Sequence, residues 1–331
     1  MKKYGIITVI ILMVLSVLLL VFVKIRKDAL HGRALKKITV KVLDKTGFPI
    51  QDAQVGITFR TYTDWNGSKR KSFYGNSDKD GLFSATYMSL DKTFIGVTKE
   101  GYYKSHYECK SEEVDKLVWQ PWNPTIDLVL REKGKSIPLY AKYNPLVITN
   151  VNKTPVGFDL FVGDFVKPFG IGITNDLLFV LDKRRKTMYD YKWNLQIKTS
   201  GRNNGIVEVN SSDIIPESTL PIPNKSYIKG YSTNGVFCNY ISNPSEYEKD
   251  LFSTSYSNDY FFMKVRNTSV NNATNSYYGK IVGLNFHPLK NGIRVKFSYY
   301  LNPTPNDRNL EFNVESNLFQ NLKRSEEVRQ P

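Results

Sequence analysis

The 331-residue chain has few of the side chains on which most metal and thiol sites depend, with two cysteines and three histidines. Cys109 and Cys238 form no CxxC pair and have no metal-ligand spacing, which excludes a zinc ribbon and a thiol-redox motif. His106 and His287 belong to no HExxH or HxxE arrangement, so the signature of zinc hydrolases is missing. Two distant cysteines allow either one disulfide or two buried thiols, and the sequence does not choose between them.

The common signatures of nucleotide and nucleophile chemistry are also missing. No GxSxG elbow, Walker A loop or Rossmann fingerprint occurs, and the short run at 170–172 lacks the third glycine. Acids such as Asp159, Asp164 and Asp176 are candidates for a glycosidase pair, which needs two facing carboxylates about 5–9 Å apart. Sequence alone does not place them together, so we predict no catalytic residue, no metal and no cofactor.

The positive charge of the chain is concentrated at its N-terminus. Residues 1–37 contain eight basic side chains and one acid, a net of +7 out of +15, which leaves +8 for the other 294 residues. Basic residues beside an apolar segment favour anionic lipid head groups rather than nucleic acid. We therefore expect no nucleic-acid partner.

An apolar run of 18 residues begins at Ile6 and ends at Val23, interrupted by Thr8 and Ser16. As a helix it would cover about 27 Å, close to the hydrocarbon thickness of a bilayer. The alternative is a cleaved signal peptide, but the run is long, and a basic block rather than a small-residue cleavage site follows it. We expect an uncleaved transmembrane anchor in the lipid bilayer.

The next region alternates in the manner of β-strands. Ile38, Val40 and Val42 recur with period 2, and further strands are expected at 53–59, 82–87, 93–99 and 125–130. Turn sequences rich in Gly, Pro and Asp separate them, and a polar excursion containing Asn66 and Gly67 follows the second strand.

Three spaced motifs in this region carry a resemblance to a known family. They are the run from Ile38 through Val55, the sequence Asp80-Gly81-Leu82-Phe83, and Lys99-Glu100-Gly101-Tyr102. Together they resemble the carboxypeptidase regulatory-like domain over residues 38–131. The resemblance implies a small transthyretin-like antiparallel β-sandwich that usually serves as an accessory module, and it implies no activity.

Asn76, Asp78 and Asp80 also imitate the first half of a calcium loop, in which oxygen ligands occupy alternate positions. Tyr87 stands where the loop requires a bidentate acid. We therefore expect a β-turn here rather than a metal site.

The second region repeats the strand pattern after a proline-punctuated linker at 132–155. Seven short apolar-alternating runs, at 157–161, 176–181, 187–197, 205–209, 260–265, 280–286 and 293–301, predict a second antiparallel β domain. The basic run at 182–186 is expected to form a hairpin turn. Val314, Leu318, Phe319 and Leu322 follow helical spacing and predict a short C-terminal helix.

The expected fold class is therefore mainly β. The predicted order is an anchor and basic segment at 1–37, a β-sandwich at 38–131, a linker at 132–155, and a second all-β domain with a short C-terminal helix at 156–331. Short tails before a first transmembrane helix usually stay inside, and the first domain resembles an extracytoplasmic type. We therefore expect the globular part in the periplasm or at the cell surface, although the positive-inside rule does not favour that orientation.

Candidate binding residues come from aromatic and loop side chains. Flat aromatic faces stack on apolar sugar faces, although core packing is the alternative role for each single ring. The loop within 299–312 is rich in Pro and Asn and forms either a structural loop or a ligand site. The candidate ligand-binding residues are Trp65, Trp119, Trp122, Trp193, Asp307 and Arg308.

The leading functional hypothesis is a membrane-anchored, non-catalytic envelope protein that binds glycan or another envelope component. The second is a structural or assembly protein that recruits protein partners through a sheet edge or an aromatic patch. A hydrolase that uses paired acids is the third.

Overall fold

The computed structural model describes residues 34–63, 67–149, 153–185, 191–242, 260–270, 273–289 and 292–328. Its regular structure is almost entirely β, which confirms the mainly-β fold class. The chain divides into two compact units. Unit 1 comprises the residues up to Lys133 together with Ile215–Thr219, and unit 2 comprises Gly134–Ile214 and the residues from Leu220 onward.

The expected membrane helix at 6–23 lies outside the described residues. Among the residues that are described, no helix has the length and the apolar character needed to span a bilayer.

The described residues of unit 1 form nine strands: β1 Ala34–Leu43, β2 Gln54–Thr63, β3 Gly67–Asn76, β4 Leu82–Ser89, β5 Lys92–Thr98, β6 Ser105–Lys110, β7 Glu113–Asp115, β8 Val118–Gln120 and β9 Thr125–Val129. One sheet has the order β4-β1-β8-β7, with β9 also paired to β1. The other has the order β3-β2-β5-β6. Strands β8 and β9 pair with β1 in parallel, and the remaining pairs are antiparallel.

The period-2 pattern of unit 1 fills one core between its two sheets. Buried Ile38 and Val40 on β1 belong to the same apolar cluster as Ile57 on β2 and Ile95 on β5. Because alternate residues of a strand face opposite sides, this inward set leaves the other face of each sheet available to polar side chains. Cys109 is a buried free thiol at the margin of this core.

The turn before β4 has the chemistry of a β-turn. The Asp78 carboxylate accepts hydrogen bonds from the backbone N–H groups of Asp80, at 2.9 Å, and Leu82, at 2.8 Å. Gly81 follows with a positive φ of 76°, and a Cβ there would lie 2.5 Å from the carbonyl oxygen of Val42. The carboxylate that a calcium loop would offer to a metal thus closes the turn instead.

Strand β3 falls in the segment that the sequence marks only as a polar excursion. It pairs with β2 in an unbroken register from Gln54↔Asn76 to Thr63↔Gly67. It lies at the edge of its sheet, and edge strands often carry charged side chains such as Lys69 and Arg70. Its composition therefore hides the alternation that identifies the buried strands.

The opposite edge of the same sheet is covered by a distant segment of the chain. The N–H of His106 donates to the carbonyl of Glu217, and the N–H of Thr219 donates to the carbonyl of Lys104, both at 2.8 Å. Ser105 and Ser218 form an antiparallel bridge between these bonds. Residues 215–219 therefore extend the sheet beyond β6.

In unit 2 the part of the chain that the structure describes forms eleven strands: β10 Ile137–Ile148, β11 Val156–Asp159, β12 Asp164–Phe165, β13 Leu177–Arg185, β14 Tyr191–Thr199, β15 Gly205–Glu208, β16 Val236–Ser242, β17 Tyr260–Val270, β18 Ala273–Leu289, β19 Gly292–Leu301 and β20 Phe312–Asn317. A 3-10 turn at Ser211–Asp213 follows β15. The sheets have the orders β15-β17-β18-β19-β10-β20 and β12-β11-β13-β14-β16. Both contribute to one core, in which Phe158 and Phe179 of the second sheet join Phe261 and Phe297 of the first.

Two elements differ from the linker and turn assignments. The segment 132–155 contains the 12-residue strand β10, which pairs with β19 along Tyr140–Ile148. Pro145 is tolerated because β20 pairs only with residues 137 and 139 of β10. The basic run at 182–186 is predicted from the sequence to form a hairpin turn. Its residues from Asp182 to Arg185 instead continue β13 and pair with β14.

The C-terminal helix expected from Val314, Leu318, Phe319 and Leu322 is not formed. Strand β20 occupies Phe312–Asn317 and an irregular segment follows it. The Asn317 amide bonds both the N–H and the carbonyl of Ala141, and its Oδ1 also accepts the N–H of Phe319. Such side-chain bonds to the backbone compete with helix formation, so the apolar spacing here does not produce a helical face.

Candidate functional site

The pairing of four strands in unit 1 brings four residues into one row across a sheet. Gly56 on β2 pairs with Tyr74 on β3 and with Gly96 on β5. Gly96 in turn pairs with His106 on β6. Both glycines lie between buried core residues on their strands, so their own positions face away from the core.

The row forms a shallow aromatic surface, which we call the Tyr74 platform and define by Tyr74, Gly56, Gly96 and His106. A Cβ on Gly56 would lie 2.9 Å from Cε1 of Tyr74, so the tyrosine ring lies over this glycine. The Tyr74 residue is nevertheless 72% exposed. A Cβ on Gly96 would meet nothing within 4 Å, which leaves an open floor beside the ring.

Neutral hydrogen-bonding groups border the platform on both sides. On one side Asn76 and Thr98 pair with Gln54, and the Thr98 hydroxyl donates to Gln54 Oε1 at 3.3 Å. On the other side the hydroxyls of Thr58 and Ser72 lie 2.9 Å apart. A flat ring flanked by amides and hydroxyls has the chemistry needed to stack on a sugar ring and to bond its hydroxyls.

The tryptophans predicted as ring donors lie in different environments. Trp119 is 2% exposed and its indole N–H donates to the carbonyl of Ser89 at 2.8 Å, so it offers no ring face to a ligand. Trp122 is partly exposed in the turn after β8. Trp65 lies outside the described residues, and Trp193 is described only as a backbone position of β14. A binding role for Trp122, Trp65 and Trp193 therefore stays a prediction.

The predicted loop residues Asp307 and Arg308 have different roles. The Asp307 carboxylate accepts the Asn302 amide at 3.0 Å and the N–H of Asn309 at 3.0 Å, so it holds the loop together. Arg308 instead lines a cleft of unit 2. Its Nη1 donates to the carbonyl of Ser226 at 2.8 Å.

Two of the candidate acids come together around an arginine. Arg266 donates through Nε and Nη2 to Asp176, at 2.7 and 2.9 Å, and through Nη2 to Asp159, at 2.8 Å. Backbone N–H groups also donate to these carboxylates. For example, the N–H groups of Ile173 and Thr174 donate to Asp159 Oδ2. The two carboxylates are buried, so this arrangement is an ion-pair network that fastens the 159–176 loop rather than an open acid pair.

The network shifts the pKa values of the two carboxyl groups in opposite directions. Burial raises the pKa of Asp176, and the Arg266 charge offsets this only in part. Burial also opposes ionisation of Asp159, but hydrogen bonds from the Thr174, Ile173 and Val162 backbone, with Arg266, hold its pKa below the usual range. Both shifts are consistent with carboxylates that serve the fold.

Sequence reasoning missed the platform because it searched for tryptophan. The signal available was a glycine at the outward position of two otherwise regular strands, in Val55-Gly56-Ile57 and Ile95-Gly96-Val97. Glycine inside a strand often marks a place where another group approaches the backbone closely.

Comparison with known proteins gives no family for this chain: no family model and no curated protein matches it. Among solved structures, one similar chain is a "putative carbohydrate binding protein" from Bacteroides uniformis ATCC 8492. The match covers 79% of this chain and 95% of that one, with 9% identity and a TM-score of 0.18. At this TM-score the similarity carries no argument about fold or ligand.

Proposed function

We propose that this chain is a membrane-anchored, non-catalytic protein of the cell envelope that binds glycan through the Tyr74 platform. The apolar run from Ile6 to Val23 supplies the anchor, and the globular units lie in the periplasm or at the cell surface. The resemblance of residues 38–131 to the carboxypeptidase regulatory-like domain, usually an accessory module, supports a binding role over a catalytic one.

The observation that carries the proposal is the exposed ring of Tyr74 on a bare sheet face. Burial of a large aromatic side chain is usually favourable, so an exposed tyrosine beside a glycine is suited to cover a ligand. The open floor at Gly96 gives a sugar ring room beside it. The bordering amides and hydroxyls supply donors and acceptors without a net charge.

The test measures depletion of the full chain from solution by insoluble polysaccharides and by purified cell wall, at low and high salt. A polyoxyethylene detergent keeps the anchor soluble and has no sugar head group to compete. Tyr74→Ala should weaken binding about tenfold or more, as expected when a central aromatic contact is removed. Stacking and neutral hydrogen bonds should persist at high salt.

Phe48→Ala is the matched control, because Phe48 is also an exposed aromatic residue of unit 1, 69% exposed, and lies off the platform in the turn before β2. It should bind as the unchanged chain does. Equal binding by the two variants, or adsorption that salt removes, would exclude the platform as the glycan site.

A second candidate function, recruitment of protein partners, is favoured by an apolar ridge in unit 2, defined by Phe169, Ile171 and Ile173. These side chains are exposed by 52, 71 and 81%. The intervening Gly170 and Gly172 face the other way, where a Cβ would lie 2.4 Å and 2.8 Å from backbone oxygens. The ridge therefore presents three large apolar groups on a tightly packed loop, as interaction surfaces often do.

The double variant Ile171→Ser/Ile173→Ser tests this second function. If the ridge recruits a partner, the variant should lose a protein that co-purifies at a fixed ratio with the full chain from its native membrane. Val314→Ser is the control, since Val314 is exposed elsewhere in unit 2. An unchanged set of co-purifying proteins would exclude the ridge as the recruiting surface.

A further inference from the structure

A cleft of about 600 Å³ lies in unit 2, far along the sequence from the platform strands. Its walls carry three cationic side chains, Lys225, Lys229 and Arg308. Val207, Tyr227 and Ile228 add apolar surface, and Asn210 adds an amide. The volume is that of a small-molecule site rather than of a single ion.

The described lining residues of the cleft carry a net positive charge. No lining residue is acidic, and none of the three cations forms an ion pair with another described residue. The carboxylate of Asp213, which borders the wall, accepts the Tyr227 hydroxyl at 2.5 Å. The Asp307 carboxylate accepts hydrogen bonds from its own loop amides. Together with Asp213 it lowers the net charge around the cleft from +3 to +1, which is still positive.

The wall that carries Arg308 is fixed by the backbone. The N–H of Ser226 donates to the carbonyl of Arg308 at 2.9 Å, while Arg308 Nη1 donates back to the carbonyl of Ser226. Ser226 is buried, and its flanking residues Lys225 and Tyr227 project from this anchored point. The Arg308 guanidinium is therefore held in place before a ligand binds, which reduces the conformational entropy lost on binding.

The Tyr227 side chain, next to Ser226 in the chain, is equally well held. The Tyr227 hydroxyl accepts the N–H of Asn210 at 3.0 Å, and the Tyr227 ring packs edge-on against Phe262 at 4.9 Å between centroids. Burial and the bond to Asp213 raise the pKa of Tyr227 to about 12, so the hydroxyl stays neutral at physiological pH. The ring thus gives the cleft an uncharged, rigid side.

We propose that this cleft binds a saccharide unit that bears an oxyanion, either a carboxylate or a phosphate. The guanidinium and the two ammonium groups match the anion, and guanidinium forks suit planar or tetrahedral oxygens. The Tyr227 ring, Ile228 and Asn210 suit the remainder of a sugar ring. The site is separate from the Tyr74 platform and does not depend on it.

The test titrates oligogalacturonate into the full chain in polyoxyethylene detergent, with maltooligosaccharide of the same length as the neutral probe. The unchanged chain should prefer the anionic probe, and the preference should fall as salt rises. Lys225→Gln/Lys229→Gln should weaken anionic binding about tenfold or more, since each exposed charge contributes up to about 1 kcal/mol. Binding to neutral polysaccharide should not change.

Lys167→Gln/Arg202→Gln is the matched control, because it removes two positive charges from exposed positions of unit 2 away from the cleft. It should bind within about twofold of the unchanged chain. Arg308→Lys keeps the charge but loses the fork, and should weaken binding of the anionic probe while binding of the neutral probe stays unchanged. Equal loss in both double variants would show only a diffuse charge effect and would overturn the proposal.

Three further probes distinguish the sources of the anion. Phosphorylated dextran and inorganic phosphate separate a sugar-borne phosphate from a free one, and vesicles containing anionic phospholipid separate a polysaccharide from a membrane. Cleft-dependent binding of the charged saccharides supports the proposal. Cleft-dependent binding of vesicles or free phosphate alone would contradict it.

Discussion

At the scale of single residues, Gly96 offers a way to change the proposed binding surface of unit 1 without loss of stability. Its backbone is an ordinary strand and a Cβ has open space, so Gly96→Val should preserve or slightly raise stability, by up to about 1 kcal/mol. The added side chain would fill the floor beside Tyr74. We expect glycan binding to be lost while the unfolding temperature holds, as measured by depletion and thermal denaturation.

Thr86→Val supplies the comparison, because Thr86 is exposed on β4 in the other sheet of unit 1. It adds a β-branched apolar residue of similar size away from the platform and should leave binding intact. Retained binding in Gly96→Val would show that ligands do not use the floor.

Arg266 is the second residue whose removal has a defined consequence. Its side chain is partly exposed, but Asp159 and Asp176 are buried against it. Arg266→Met would leave two buried carboxylates without their counter-charge, which should lower the free energy of unfolding by about 3 kcal/mol at neutral pH. Denaturant unfolding measures this, and Arg202→Met, in an exposed turn of the same unit, should cost far less.

The pH dependence of that loss has a definite sign. Without Arg266, burial should raise the folded pKa of Asp176 further above the unfolded value of about 3.9, whereas Asp159 keeps the backbone hydrogen bonds that lower its pKa. Groups with raised folded pKa values contribute their stability below the unfolded pKa and lose it as pH rises through the folded one. The deficit of Arg266→Met should therefore be largest near pH 7 and shrink below about pH 5. A constant deficit between pH 7 and pH 4 would contradict this account.

At the scale of elements, the segment 215–219 behaves as an added edge strand of unit 1. Thr219→Pro removes the N–H that donates to Lys104 and should weaken the neighbouring bond from His106 to Glu217. We expect faster hydrogen exchange of the His106 amide, measured on peptides that cover β6. Exchange in β2, on the far side of β5, should not change. Unchanged protection of His106 would show that another group satisfies its N–H.

The alternation of apolar residues was sufficient to predict the strands that face a core on one side. It located β1, β4 and β5 because their inward positions carry Ile, Val and Ala. It missed β3, whose charged edge composition conceals the pattern, and β10, whose prolines suggested a linker. Apolar residues at helical spacing near the C-terminus led to the wrong prediction of a helix. The side chains of Asn313 and Asn317 accept backbone N–H groups there and stabilise β20 and the following turn instead.

The candidate sites were less predictable because they depend on contacts between distant residues. Tyr74 meets Gly56 only through the register of β3 on β2, and Gly96 only through the pairing of β5. Arg308 was identified from its unusual loop, yet its cleft is built with residues about 80 positions earlier in the chain. No local pattern contains that register or that loop contact.

At the scale of the whole molecule, the chain passes between the two units at three points, after residues 133, 214 and 219. The domain at 38–131 expected from the sequence therefore lacks five residues that belong to the same compact unit. Those residues cover the β6 edge, and uncovered strand edges promote association between chains. The fold of unit 1 is therefore complete only when residues 215–219 are present.

This connectivity predicts how unit 1 should behave when it is separated. Residues 34–133 alone should self-associate and should unfold about 4–8 °C lower than the same residues joined to 214–220 by a flexible linker of about twelve residues, since the added segment restores about 1 kcal/mol of hydrogen bonding. Such a linker can extend about 40 Å. Sedimentation and thermal unfolding measure the two effects. The linked form with Thr219→Pro should behave like the bare fragment, and if all three forms were equally stable and monomeric, the 215–219 segment would be a passive contact rather than a strand that completes unit 1.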